Sequence, residues 1–347
     1  MSSSRPDPLR LTRRVRNLAH ELGFQAVGFS KAAELTQEAR RLEEWLGAGM
    51  HADMGWMENH FDLRIDPRKL VPGAQSVITL AASYHAPDSE GSAGIRLESS
   101  SEQNPSAKSS QPAERLTTDH SSIIRTARYA KGRDYHRALR KPLKTLLQEI
   151  RSLVGDVQGR VFVDSAPVME KAWAVRSGLG WLGKNGNVLN RGLGSWFLLC
   201  EIVVDAVFVY DAPGRDHCGT CTRCIDACPT GAIPLPSVID SNRCISYLTI
   251  EYDGRMPEEF RERTQGWAFG CDICQEVCPW NRKARTGRMH DLQPRGAFAP
   301  GVADTGSSAF WRQLTEPEFE EWFRGTPLMR SGYSKMMDSV AAASGSR

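Results

Sequence analysis

Nine cysteines are the residues of this chain whose type and spacing speak most directly of chemistry, and eight of them fall between Cys218 and Cys278. The first knot reads Cys218-Gly-Thr-Cys221-Thr-Arg-Cys224-Ile-Asp-Ala-Cys228-Pro229, the C-x2-C-x2-C-x3-C-P run of bacterial ferredoxins. Three thiolates at that spacing wrap three corners of one [4Fe–4S] cube, while the fourth points away and serves a second cube. A second knot, Cys271-Asp-Ile-Cys274-Gln-Glu-Val-Cys278-Pro279, repeats the spacings and the proline but lacks a leading cysteine, a place left for Cys244. Crossed ligation then predicts Cys218, Cys221, Cys224 and Cys278 on one cluster and Cys228, Cys244, Cys271 and Cys274 on the other. Structural zinc takes two separated C-x2-C pairs, and disulfides staple secreted scaffolds along their length; neither accounts for this density. Cys200, in an apolar run, reads as a core thiol.

Two such clusters move electrons singly and name no acceptor, so the residues before them must position whatever is reduced. Residues 7–22 and 32–47 carry apolar positions at helical spacing, with a short strand at 26–30 between them. Residues 76–83 and 194–204 read as buried strands and 160–164 as a shorter one; 132–153 and 168–177 read as helices, the first strongly basic. The expected class is α+β: an N-terminal layered α/β domain over 1–210, a ferredoxin-like two-cluster domain over 211–290, and a short helical C-terminus over 291–347. Residues 86–122 are rich in Ser, Pro, Glu and Gln and almost free of large apolar side chains. They cannot offset their ordering entropy, and a mobile surface insertion is expected there.

The net charge of +3 is too small to draw a nucleic acid by itself, so any basic surface must be local. One concentration holds Arg125, Arg128, Lys131, Arg133, Arg137, Arg140, Lys141, Lys144 and Arg151 against Asp134 and Glu149; another, Arg282-Lys-Ala-Arg-Thr-Gly-Arg288, follows the last cluster cysteine. These suggest a phosphate-facing stripe, the plainer alternative being a solvated helix face. Thr12-Arg-Arg-Val-Arg16 looks like a twin-arginine export signal, but Asn17, His20 and Glu21 stand where the apolar run of about 7–15 residues should follow. With no run near the roughly 20 apolar residues of a membrane span either, a cytoplasmic protein is expected.

Beyond the knots, a series of strings in fixed order resembles the epoxyqueuosine reductase family. They are Gly49-Met-His-Ala-Asp-Met-Gly-Trp-Met57, Arg64-Ile-Asp-Pro67, Ala127-Arg-Tyr-Ala-Lys-Gly-Arg-Asp-Tyr-His136, Val163-Asp-Ser-Ala-Pro-Val-Met-Glu170, Gly180-Trp-Leu-Gly-Lys-Asn185, Gly194-Ser-Trp-Phe197, Arg243-Cys-Ile-Ser-Tyr-Leu-Thr-Ile-Glu251 and Cys278-Pro-Trp-Asn281. The resemblance implies a reductase that pairs cobalamin with two [4Fe–4S] clusters and turns epoxyqueuosine at the wobble position of tRNA into queuosine, the last step of queuosine biosynthesis. Cobalamin and substrate would then be held by residues 1–210. Asp134-Tyr-His136 is followed by Arg-Ala-Leu, so the D-x-H-x-x-G string of histidine-ligated cobalamin is missing, and a base-off cofactor without a histidine ligand is implied.

By the same resemblance Asp164 is the acid that protonates the departing oxygen, with its pKa raised by burial against the corrin. Read from residues alone, Asp164 is rather an N-cap for a helix near Pro167. Arg64, Tyr129, Lys184, Asn185 and Ser246 fall in matching strings and are candidate cobalamin contacts, each also fit for an ordinary structural hydrogen bond; His136 is a further polar group of either kind. The partners implied are tRNA, with its wobble base drawn out of the stack, and an electron donor the sequence does not identify; a monomer is expected. The helical-repeat extension of some members is expected to be absent. The rivals are a corrinoid reductive dehalogenase, which carries a true export signal and a tyrosine acid, and a two-cluster electron-transfer protein without chemistry of its own.

Overall fold

The structure is a computed structural model that describes residues 7–86 and 123–345. Apart from Ala86, the expected 86–122 insertion lies outside the described residues. The strands are β1 (Ala26–Lys31), β2 (Ser76–Ser83), β3 (Arg125–Thr126), β4 (Gly159–Phe162), β5 (Trp181–Leu182), β6 (Val188–Leu189), β7 (Phe197–Val204) and β8 (Trp267–Phe269). The helices of the first half are α1 (Pro8–Glu21), α2 (Thr36–Gly47), α3 (Phe61–Ile65), α4 (Pro67–Leu70), α5 (Tyr135–Val154) and α6 (Glu170–Arg176). Those of the second half are α7 (Arg223–Asp226), α8 (Ile245–Ile250), α9 (Glu258–Arg261), α10 (Ile273–Glu276), α11 (Ser308–Gln313), α12 (Glu316–Phe323) and α13 (Gly332–Ala343).

Side chains alternate across a strand, so a strand covered on both faces is largely apolar. β2 is buried at every position and apolar but for Ser76, Thr79 and Ser83. It lies inside an antiparallel sheet of order β1-β2-β7-β4. Toward one face, Ile78, Leu80, Cys200 and Ile202 meet Leu11 and Val15 of α1 and Leu139, Leu143 and Leu146 of α5. Toward the other, Val77, Val203 and Phe162 meet Trp173 of α6, and Ala81 and Phe197 meet Ala174. The result is three layers built on antiparallel pairing, a mixed α and β fold. Gly28 of β1 lets the end of α6 approach: a Cβ there would stand 2.2 Å from the Ser177 carbonyl oxygen. The arginine-rich start of the chain is amphipathic α1, whose Arg16 pairs with Asp211 at 2.9 Å.

The expected elements are present with shifted ends. The strand expected over 194–204 begins at Phe197, because Gly194 stands at φ 60° in a tight turn where a Cβ would meet Asn281 Oδ1 at 2.0 Å. The strand expected over 160–164 ends at Phe162, and the helix expected from 168 begins at Glu170. Past the sheet, β3 pairs in parallel with β8. Ile124, Ala130, Ala268 and Phe269 then share a core with Trp311 of α11, Phe319 and Phe323 of α12 and Met336 and Val340 of α13. No helix among the described residues is long and apolar enough to cross a membrane.

Candidate active site and cysteine loops

Asp164 occupies the short connection from β4 to α6, at φ 53°, a left-handed conformation uncommon for a residue with a Cβ. It is not a helix cap: α6 starts six residues later, with Met169 at the cap position and no side chain bonded there. Its backbone N–H instead donates to Glu170 Oε1 at 2.7 Å. The side chain is 47% exposed and turns toward the start of α5. There Tyr135 donates its hydroxyl to Asp164 Oδ2, and His136 Nε2 lies 3.4 Å from the same oxygen. His136 Nδ1 meets Asp134 Oδ1 at 2.8 Å, and Asp134 caps α5 by accepting from the His136 N–H at 3.0 Å. Tyr135 is backed in turn by Tyr129, edge-on at 6.0 Å.

An imidazole with a carboxylate on each ring nitrogen is stabilised as the cation. The hydrogen bond to Asp164, then that to Asp134, raise the His136 pKa above its ordinary 6.5. Asp164 corrects an expectation. Burial does push its pKa up, but the hydrogen bonds from His136 and Tyr135 together outweigh burial and hold the carboxyl below its ordinary range. In this arrangement the proton belongs to His136, one hydrogen bond from the carboxylate.

A cavity of about 190 Å3 opens beside Asp164, lined also by Tyr135, Glu170, Lys171 and Ser195 and by the apolar Val188, Phe197, Leu198 and Leu199. Its far wall is tied to the second cysteine knot. Ser195 donates its hydroxyl to Gln275 Oε1 at 2.9 Å and its N–H to Asn281 Oδ1 at 2.6 Å, while Lys171 senses the charges of Cys274 and Cys244. Of the six candidate contacts, Asp164 lines this cavity and Tyr129 reaches it through Tyr135. Lys184 donates to the Gly219 carbonyl at 2.7 Å, Asn185 to the Cys274 carbonyl at 3.3 Å, and the Ser246 backbone bonds the Cys244 sulfur. These three hold cysteine loops. Arg64 stands apart, donating to the Trp56 carbonyl at 2.8 Å.

The knots fold as two matching turns, with α7 inside the first, α10 inside the second, and the two helices packed on each other. Burial raises the thiols of Cys224, Cys244, Cys271, Cys274 and Cys278, and neighbouring cysteines raise them further. The neighbours fall into two sets. Cys278 feels Cys218 and Cys221, and Cys224 feels Cys278 and Cys218. Cys271 feels Cys274 and Cys244, and Cys244 feels Cys228. Cys274 feels both Cys224 and Cys228, where the sets approach. Among the described residues no three His, Cys, Asp or Glu side chains close on a point as they would around a single ion. Cys200 is fully buried in the sheet, as expected of a core thiol.

The basic stripe is narrower than its composition suggests. Arg125 and Arg128 lie over Trp267 and Trp196, Arg133 pairs with Asp291 at 3.0 Å, and Arg151 donates to the Val157 carbonyl at 3.3 Å. Arg137, Arg140, Lys141 and Lys144 remain together along an open groove of about 690 Å3 that is also lined by Asp134, His136, Thr145 and Ser165. The residues not singled out in the sequence are Tyr135, Glu170, Lys171 and Glu201. A carboxyl inside the otherwise apolar run of β7 was the available sign for Glu201.

The chain is similar to known proteins along most of its length. Residues 217–281 match a model described as a 4Fe-4S double cluster binding domain, and residues 64–165 one described as epoxyqueuosine reductase QueG, DUF1730. The epoxyqueuosine reductase of Cyclobacterium marinum is 42% identical over 330 residues, covering 95% of each chain. That of Pseudomonas aeruginosa is 42% identical over 343 residues, 99% of this chain and 87% of the relative. Among solved structures, an epoxyqueuosine reductase with a tRNA-Tyr epoxyqueuosine-modified stem loop superposes with a TM-score of 0.79 at 27% identity, over 96% of this chain and 80% of the other. The Bacillus subtilis enzyme, described with its catalytic loop swung out of the active site, gives 0.77 at 26% identity, over 96% and 81%. With identity above 40% along almost its whole length, this chain belongs to the epoxyqueuosine reductase family.

Proposed function

We propose that this chain is an epoxyqueuosine reductase, an oxidoreductase that removes the epoxide oxygen of epoxyqueuosine at the wobble position of tRNA and leaves queuosine. The observation that carries the reading is the cavity itself: a proton-bearing group, Asp164 with Tyr135 and His136, faces a wall bonded to a cysteine knot. Proton source and electron source thus meet across one small space. Cys218, Cys221, Cys224 and Cys278 would hold one [4Fe–4S] cluster and Cys228, Cys244, Cys271 and Cys274 the other, a division supported by the two sets of interacting thiols. In this scheme residues 1–210 carry the reaction chamber, 211–290 the clusters and 291–347 a helical tail.

The surroundings suit cobalamin. The apolar Val188, Phe197, Leu198 and Leu199 share the lining of the cavity with Asp164, Ser195 and Lys171. The enclosed space is smaller than the roughly 300–1,000 Å3 usual for a ligand site, so it would admit only part of such a cofactor. Asp164, Arg64, Tyr129, Lys184, Asn185 and Ser246 are its candidate contacts, and no protein ligand to cobalt is proposed. Cobalamin held there by these residues would supply two-electron reducing chemistry.

Converting an epoxide to an alkene breaks two C–O bonds, consumes two electrons and two protons, and releases water. The chain's part is the proton. His136 holds it beside Asp164 Oδ2, and as the oxygen takes up negative charge Asp164 passes it on. Tyr135 fixes the carboxylate by its own hydrogen bond. The groove of Arg137, Arg140, Lys141 and Lys144 opens beside His136 and would hold the stem-loop backbone while the wobble base enters the cavity. The relative crystallised with a modified tRNA stem loop supports a tRNA substrate. A cytoplasmic monomer fed by a separate electron donor completes the proposal.

The test is single-turnover conversion of epoxyqueuosine stem loop, read by nucleoside analysis with a chemical reductant in excess. Asp164→Asn keeps the shape but supplies no acidic proton. Conversion should fall about 10²–10⁴-fold, with stem-loop affinity within about twofold of wild type. Conversion at the wild-type rate would remove Asp164 from the chemistry, and wild-type protein that leaves epoxyqueuosine unchanged would overturn the function.

A further inference from the structure

The reaction as described leaves two carboxyls behind Asp164 without a task. Glu201 stands in the middle of β7 with 0% of its surface exposed, opposite Thr79 of β2 and on the face of the sheet that carries α6. Among the described residues no N–H or O–H donor reaches either of its carboxyl oxygens. The group that faces it is a second carboxyl, that of Glu170 at the start of α6. Ionised carboxylates accept and do not donate, so a hydrogen bond between two of them needs a proton on one. Leaving both charged in the interior would cost their desolvation and their mutual repulsion together.

The far side of Glu170 holds the Asp164 loop. Its Oε1 accepts the Asp164 N–H at 2.7 Å, at a residue whose φ of 53° lies in the left-handed region that Asp tolerates better than most side chains with a Cβ. The bond is a partner that holds the loop in that conformation. We infer that Glu170 and Glu201 share one proton, and that the protonated pair is a latch holding Asp164 where its side chain meets Tyr135 and His136. The latch stands on the Asp164–Glu170 bond and on a fully buried Glu201 that no donor among the described residues reaches; its bearing on catalysis rests on the reading of Asp164 as the acid.

The groups facing the pair are Asp164 on its loop, Tyr135 on α5, Lys171 on α6 and Cys200 on β7, while Thr79 on β2 is uncharged. Lys171 is the cation among them, and its ammonium donates to the Gly186 carbonyl at 2.8 Å. Burial, and then the charge of Asp164, push Glu170 up to about 8, and burial pushes Glu201 far above its ordinary range. Above that point the second carboxylate appears, the two repel, and Glu170 swings toward the cavity it lines and releases the Asp164 N–H.

Hydrogen–deuterium exchange of residues 161–169, in full-length protein with its clusters intact, reads the latch without substrate. Measured between about pH 6 and about pH 9 and divided by the intrinsic rate, wild-type exchange should climb about tenfold above pH 8. Glu201→Gln donates permanently to Glu170 and should stay protected throughout; Glu201→Leu should be open at every pH. Infrared spectra should contain a protonated-carboxyl band at neutral pH that Glu201→Gln lacks. Should Glu201→Leu fail to fold, Glu170→Gln, which accepts from Asp164 and donates to Glu201, takes its place and must stay protected above pH 8. Flat wild-type protection, or the same alkaline opening in Glu201→Gln, would sink the latch while leaving the Asp164→Asn result untouched.

Discussion

At the scale of single residues, the proton near Asp164 is decided by a contest. Burial favours the neutral acid, and the hydrogen bonds from His136 and Tyr135 favour the carboxylate and win. His136 gains what Asp164 loses, so the folded protein binds a proton there more firmly than the unfolded chain does. The stability this adds is fully present below the ordinary 6.5 and is lost as pH rises through the raised value. Activity that draws on the same proton should fall in the same direction. A pH–rate profile at fixed reductant should carry a descending limb above about pH 6.5, absent from His136→Gln, in which Asp164 is left to the upward pull of burial. A wild-type profile that is flat over that range would remove His136 from the proton path. Asp164 was legible because it ends an apolar run within a distinctive string. Its direct neighbour Tyr135 was not, since nothing in a sequence says which of two adjacent residues at a helix start turns inward. Glu201 was in plain view, a carboxyl amid Phe197–Val204, and only burial on both faces of the sheet reveals how unusual that position is.

Among the elements, α5 divides its work by face. Ala138, Leu139, Leu143, Leu146, Leu147 and Ile150 are buried against the sheet, leaving Arg137, Arg140, Lys141 and Lys144 on the groove side. Each phosphate neutralised contributes about 0.9 to the salt slope of binding on a duplex, and about 0.7 on a single strand. Replacing Arg140, Lys141 and Lys144 together by alanine should lower the slope of stem-loop binding by about 2–3. The single-turnover rate at saturating stem loop should be preserved, and an unchanged slope would take α5 out of the interface. The helix itself was legible from its 3.6-residue period. Which of its flanking cations were spoken for was not: Arg128 over Trp196 and Arg133 at Asp291 depend on residues far along the chain. The ends of β4 and β7 were blurred for a related reason, since Gly194 turns where it does to make room for Asn281.

For the molecule as a whole, the cysteine spacing made the two-cluster domain readable in advance, because cubane ligation tolerates few arrangements. Anaerobically prepared protein should hold about eight irons per chain, and Cys274→Ser, which removes a ligand from one proposed set, about four. Loss of all iron from that variant would mean that the two sets are not separable. What spacing hid is the interweaving of the segments. Thr126 and Arg125 take their strand partners from Phe269 and Trp267, and the core around them is completed only by α11, α12 and α13. The consequence concerns synthesis. On the ribosome, residues 123–131 emerge about 140 residues ahead of the strand they must join, and translation proceeds at about 5–20 residues per second. That stretch therefore waits many seconds without its neighbours, and the connection leading from it to Tyr135 and His136 acquires its final seat only once α11, α12 and α13 have been made. Seating of this segment is thereby tied to synthesis of α11, α12 and α13, and a nascent chain released before them would have the sheet but no settled place for the start of α5.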